Sequence, residues 1–153
     1  MTATASVPRQ TITAYLRIKG ASEAIEFYKQ VFNAEEIFRL ENPDGTIANA
    51  QITIQDTIVM LADEYPKANI LGPASLGGTT FALQLYTDDV DGLFQRALDA
   101  GATEVFPLAD QFYGERSGRV RDPFGHEWLL SKVIEDVSFE EMKRRYDEMM
   151  SSS

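Results

Sequence analysis

The sequence predicts an α+β fold in which two tandem βαβββ modules form a curled, cavity-enclosing mixed sheet with helices on the outside. Three observations carry this expectation. The order strand, helix, three strands is written twice along the chain. Within each copy the apolar residues switch between the alternation of a strand and the spacing of one helical face. A stretch with two prolines and three glycines, residues 63–79, separates the copies. The predicted boundaries are a disordered tail over 1–10, a domain over 11–137 (module 11–62, linker 63–79, module 80–133), and a C-terminal helix and tail over 138–153.

In the first module Thr11 to Ile18 alternates as a half-buried strand, with Ile12, Ala14, Leu16 and Ile18 on its apolar side. Ala24, Ile25, Tyr28, Val31 and Phe32 then fall on one face of a helix over Ala21 to Phe32. A short strand, Glu36 to Leu40, runs into the turn Asn42-Pro43-Asp44-Gly45. Ile47 to Ile54 and Thr57 to Ala62 follow as a hairpin around Gln55-Asp56.

The second module opens with a strand over Thr80 to Tyr86, with Phe81, Leu83 and Leu85 facing the helices. Asp89 is placed to cap a helix whose apolar face is Val90, Leu93, Phe94, Ala97 and Leu98, and Gly101 to stop it. Glu104 to Phe106, Gly118 to Arg121 and Glu127 to Lys132 are its three strands, the last two joined by Asp122-Pro123-Phe124-Gly125. Ser138 and Glu141 have the spacing of a capping box at the head of a final helix, with Phe139, Met142, Tyr146 and Met149 on one side.

Composition narrows the function. Fourteen basic against twenty-four acidic residues give a formal charge of -10, and no Lys/Arg stripe overrides it, so nucleic acid is not an expected partner. The charge serves solubility, or draws a cationic small molecule. With no cysteine, disulfides and thiolate metal sites are out of reach. No apolar stretch approaches the ~20 residues of a membrane helix and the first residues do not read as a signal peptide, so a cytoplasmic protein is expected.

Five segments carry a resemblance. AIEFYKQVFNAEE, ANAQITIQDTIVMLADE and LYTDDVDGLFQRALDAGATEVFP are similar to stretches of vicinal oxygen chelate proteins. DQFYGERSGRVRDPFGHEWLLS, followed by EDVSFEEMKRR, resembles the glyoxalase / bleomycin-resistance-like (PhnB-like) branch. The resemblance runs from about Thr11 to Arg145. It implies a cavity-forming sheet and a homodimer. One scaffold of this kind hosts glyoxalases, dioxygenases, epimerases, fosfomycin-inactivating enzymes and non-catalytic drug-binding proteins, so the site is argued residue by residue.

Period two leaves Thr13, Tyr15 and Arg17 on the cavity side of the first strand, and Asn49, Gln51 and Thr53 on that of the third. In the second module it leaves Ala82, Gln84 and Tyr86, then Glu127, Leu129 and Ser131. Arg119 and Arg121 share one strand face and present two forked donors side by side. Phe38, Phe112, Tyr113 and Phe124 are candidates to rim the cavity around a flat ligand. The expected ligand-binding set is therefore Tyr15, Arg17, Asn49, Gln51, Gln84, Tyr86, Arg119, Arg121, Glu127, Phe112 and Tyr113.

Metal-using members of the resembling family bring His, Gln or Glu to four strand positions. Here these correspond to Thr13, to Val59 or Met60, to Ala82 or (one pair along) Gln84, and to Leu129. The expectation is no metal and no cofactor. His126, the only histidine, follows a turn glycine and its parity points away from the cavity. With no cysteine and His126 so placed, no nucleophile constellation is complete, and catalytic residues are not assigned. The leading reading is a drug-sequestering binding protein. The alternative is a metal-independent or atypical-metal lyase or isomerase of the same fold.

Overall fold

The structure, a computed structural model, describes residues 6–152; the part of the expected tail at 1–5, and Ser153, lie outside the described residues. The strands are divided between two four-stranded mixed sheets, and the chain separates into two compact units between Leu76 and Gly77.

The first unit contains β1 (Ala14–Ile18), α1 (Ala21–Phe32), β2 (Glu35–Glu41), β3 (Ile47–Ile54) and β4 (Thr57–Asp63). A 3-10 turn at Pro66–Ala68 and the one-turn helix α2 (Pro73–Leu76) follow within the stretch read as linker. The sheet order is β1-β4-β3-β2, with β1 parallel to β4 and the other pairs antiparallel. α1 buries the apolar face read from its spacing, Ala24, Ile25, Tyr28, Val31 and Phe32, and packs on β1, β3 and β4. Leu16, Ile18, Ala50, Ile52, Val59 and Leu61 are buried with it.

β1 begins three residues later than the alternation predicts. Ile12, expected on the apolar side, is 87% exposed, and Thr13 precedes the strand. The cause is local. The Gln10 amide donates to Ile58 O at 2.9 Å and accepts from Ile58 N at 3.2 Å, occupying the backbone groups of β4 that a longer β1 would have used. α1 has Gly20 at its N-cap and no side-chain cap of its own. Asp63 supplies one from the end of β4: one carboxylate oxygen accepts from Gly20 N (3.0 Å) and Ala21 N (3.2 Å), the other from Ile47 N (2.7 Å).

The second unit contains β5 (Ala82–Tyr86), α3 (Val90–Asp99), β6 (Thr103–Asp110), β7 (Glu115–Arg121), β8 (Glu127–Val133) and α4 (Phe139–Ser151). Its order, β5-β8-β7-β6, repeats that of the first, with β5 parallel to β8. Asp89 caps α3 by accepting from Gly92 N at 3.0 Å. α3 lies close on β7 because residue 118 is glycine: a Cβ there would stand 2.7 Å from the Phe94 ring and 2.9 Å from Leu108 N. Trp128 is 2% exposed, and its indole N–H donates to the buried Asp122 at 3.0 Å. Asp122 also accepts from Phe124 N and His126 N, so one carboxylate fixes both the turn and the core tryptophan.

Three further expectations are corrected. β5 starts at Ala82 and not at Thr80, so Phe81 precedes the strand; it is 45% exposed, with its ring 6.2 Å from that of the buried His126. β6 and β7 are longer than predicted, and β6, an edge strand, accommodates Pro107 with two register shifts. At α4 half of the capping box forms. Ser138 accepts from Glu141 N at 3.1 Å, while the Glu141 carboxylate turns to Arg144 and Arg145 and is held down at about 2, first by the hydrogen bond from Arg144.

Candidate ligand-binding face

Strand register identifies the side chains that share the face of each sheet opposite its helix. In the second unit Gln84 lies beside Leu129 and Leu129 beside Arg119; Tyr86, Ser131 and Ser117 form the next row, and Ala82, Glu127 and Arg121 the row on the other side. Trp128, Leu130, Val120 and Gly118 occupy the intervening positions and point toward α3.

These polar groups are tied to one another. Tyr86 Oη donates to Glu115 at 2.7 Å, and the Gln84 amide reaches Glu115 at 3.3 Å and Ser131 Oγ at 3.1 Å. Tyr113 Oη lies 3.3 Å from Ser117 Oγ. Glu127 accepts from Arg119 Nε at 2.6 Å and from Arg121 at 3.0 and 3.2 Å. Burial pushes the Glu127 carboxyl up, but the bonds from the two guanidinium groups outweigh it and the net displacement is downward. The Tyr86 phenol is raised, chiefly by its bond to Glu115 and then by burial, so it stays a donor.

Of the residues read from the sequence, Gln84, Tyr86, Tyr113, Arg119, Arg121 and Glu127 are thus brought to one sheet. Phe112 is turned to α4, its ring 5.8 Å from Tyr146 and its carbonyl accepting from Arg145. Sequence reasoning missed Glu115, Ser117 and Phe106. The first two share the parity of Arg119 on the same strand, so alternation extended toward the N-terminus would have found them. Phe106, 64% exposed beside Arg119, was hidden by the irregular register of β6.

In the first unit Tyr15, Met60, Gln51 and Phe38 line up across four strands, with Arg17 and Asn49 on the same face. Tyr15 Oη accepts from Asn49 at 2.9 Å and from Arg17 at 3.4 Å, and the Arg17 guanidinium lies 4.8 Å over the Tyr15 ring. Gln51 is 7% exposed, and its Oε1 has no hydrogen-bond partner among the described residues. A cleft of about 640 Å³ opens at the end of this sheet, between Arg17, Thr46, Tyr65 and Lys67. Its carboxylates Asp44, Asp63 and Glu64 are each engaged by Thr46, by backbone N–H groups, or by Gly72 N and Ser75.

Residues 10–130 match the Glyoxalase/Bleomycin resistance protein/Dioxygenase superfamily. The chain belongs to this superfamily. An uncharacterised protein of Mycobacterium bovis is 42% identical over 135 residues, covering 86% of this chain and 89% of the relative. The crystal structure of TioX from Micromonospora sp. ML1 is 27% identical, with a TM-score of 0.61 over 84% of this chain and 100% of TioX. FosX of Listeria monocytogenes, a genomically encoded fosfomycin resistance protein, shares the fold at 21% identity and a TM-score of 0.60, over 89% of this chain and 99% of its own.

Metal-using members of the superfamily require nitrogen and oxygen ligands converging from paired strands. The register sets Gln84, not Ala82, beside Leu129, and by the internal repeat Tyr15 beside Met60. A leucine and a thioether offer nothing to a hard divalent ion, and among the described residues no three His, Asp or Glu side chains gather to hold one. This donor set does not fit the metal.

Proposed function

We propose that the protein binds and sequesters a drug-like small molecule on the polar face formed by β5, β8 and β7, without a metal ion. The observation that carries this reading is the cross-linked array itself. Side chains from three strands hold one another on a face opposite the core, with Gln84, Tyr86 and Arg121 exposed and Glu127 held between two arginines. Groups fixed before a ligand arrives lose little freedom on binding it, which favours affinity. Membership of a superfamily that includes bleomycin resistance proteins supports the same reading.

The acting form is a two-fold symmetric homodimer with a cavity built from both chains, working in the cytoplasm. No helix among the described residues is long and apolar enough to cross a membrane. α4 leaves Phe139, Tyr146, Met149 and Met150 exposed, apolar surface suited to a seam between copies. A thermal-shift screen of planar drugs, run beside metal analysis of the purified protein, tests the binding reading through linkage. Ligands that raise the melting temperature of metal-free protein support it. About one metal per chain held by Gln84 or Glu127 would replace it with an enzyme. Sedimentation equilibrium giving only the 17.1 kDa chain mass would remove the dimer.

A further inference from the structure

The polar face of the second unit is electrically divided. At one end the Glu115 carboxylate accepts from Tyr86 and Gln84, both neutral donors, and no ion pair among the described residues includes it. At the other end one carboxylate, Glu127, faces two guanidinium groups, which leaves a net positive charge. Glu127 uses Nε of Arg119, and Nε and Nη2 of Arg121, so the terminal nitrogens of Arg119 remain available as a fork. Leu129 and the exposed ring of Phe106 flank Arg119 on the two neighbouring strands, and the buried Ser117 stands between Arg119 and Glu115 on their own strand. Glu115 and Arg119 stand on the same strand four positions apart, about 13 Å at the rise of a β-strand.

We infer that this face selects an amphoteric ligand: a flat apolar body carrying a protonated amine at one end and a carboxylate or similar anion at the other. The amine sits on Glu115, whose oxygens are oriented by Tyr86 and Gln84 and keep lone pairs for further donors. The anion takes the free fork of Arg119, with Leu129 and Phe106 flanking the anionic end of the body, and the rest of the body crosses Ser117 toward Glu115. Neither charge alone matches the whole face, because a lone cation meets the arginines and a lone anion meets Glu115. This deepens the binding function proposed above and rests on it.

The probe is 4'-(aminomethyl)biphenyl-4-carboxylic acid, compared by calorimetry at low salt with its two halves, 4-phenylbenzylamine and biphenyl-4-carboxylic acid. The whole probe is expected to bind at least about tenfold tighter than either half, the scale of one hydrogen-bonded charge contact. Glu115→Gln keeps the side-chain shape and is expected to reduce the whole probe to the affinity of the acid alone. Arg119→Gln is expected to reduce it to that of the amine alone. Melting temperatures of both variants establish that they are folded. If the acid binds and the added amine gains nothing, or if Glu115→Gln leaves the whole probe unaffected, the amine seat is overturned while the binding function stands. If no probe binds and the drug screen is also silent, both fall together.

Discussion

The two units share one topology and use it differently. Overlaying their parallel pairs by register makes Tyr15 the counterpart of Gln84, Met60 of Leu129, Ile58 of Glu127, and Asp63 of Lys132. In the first unit the position equivalent to Glu127 is apolar and the face carries one guanidinium, spent on Tyr15 and on Asp63 O. In the second the same positions carry an acid flanked by arginines and a second acid without a counter-ion. The backbone plan is therefore indifferent to which sheet bears the charged array. Side-chain choice at four or five positions on one face decides it, while α1 and α3 pack against the opposite face of each sheet.

The core should break most sharply in the second unit. Trp128 is its largest buried side chain and is also tied to Asp122, so Trp128→Ala is expected to cost about 3–5 kcal/mol, measured by urea unfolding. A near-neutral result would mean that the face assigned to the helices is the other one, and the ligand face would move with it.

Helix capping gives the next largest contrast. α1 is capped from a distant strand by Asp63, which serves three backbone N–H groups, whereas α3 is capped locally by Asp89, which serves one. Asp63→Ala is expected to cost about 2–3 kcal/mol, since charge-assisted bonds are lost and part-buried donors left open. Asp89→Ala should cost about 1 kcal/mol, the usual value of an N-cap. Equal losses in thermal unfolding would show that the remote carboxylate does no more than a local one.

Acid titration separates the units by charge. The Glu127 carboxyl is depressed below its ordinary 4.5, so its pairing stabilises the fold above that pH and is lost as the pH falls through the lower folded value. Glu36 in the first unit is lowered in the same sense, first by the hydrogen bond from Arg39. Glu127→Gln is therefore expected to be less stable than wild type at neutral pH and to lose less between about pH 5 and 3. Adding Glu36→Gln should flatten the profile further. A single variant with the unaltered acid limb would mean that Glu127 gains nothing from its arginines.

How much of this was legible follows from where the cause lies. Helices α1 and α3 and the inward strand positions are written in local periodicity, and Ala24 to Phe32 or Val90 to Ala97 could be read because burial repeats at fixed spacing. The start of β1 could not, because it depends on the Gln10 side chain meeting Ile58 from far along the chain. Asp63 read as the first residue of a linker because nothing local marks a carboxylate that caps a helix more than forty residues earlier. On the candidate face parity found Arg119, Arg121 and Glu127. It stopped short of Glu115 because Gly118 reads as a strand start, when it is a glycine required by the approach of Phe94.

The smallest expected effect concerns the quieter face. Gln51 is buried on the first sheet between Phe38 and Met60, and its Oε1 lacks a partner among the described residues. An acceptor removed from water without a replacement bond costs about 1–3 kcal/mol, while replacing it with an apolar group of similar shape removes that penalty. Methionine has nearly the same length and suits an irregular apolar setting beside Met60. Gln51→Met is therefore expected to be neutral or to stabilise by up to about 1 kcal/mol in chemical unfolding, the opposite sign to most buried substitutions. The matching change in the second unit, Arg119→Met, should destabilise, because it strips Glu127 of its shortest bond. If Gln51→Met instead destabilises by a similar amount, the amide has a partner in solution, and the first face depends on polar contacts no less than the second.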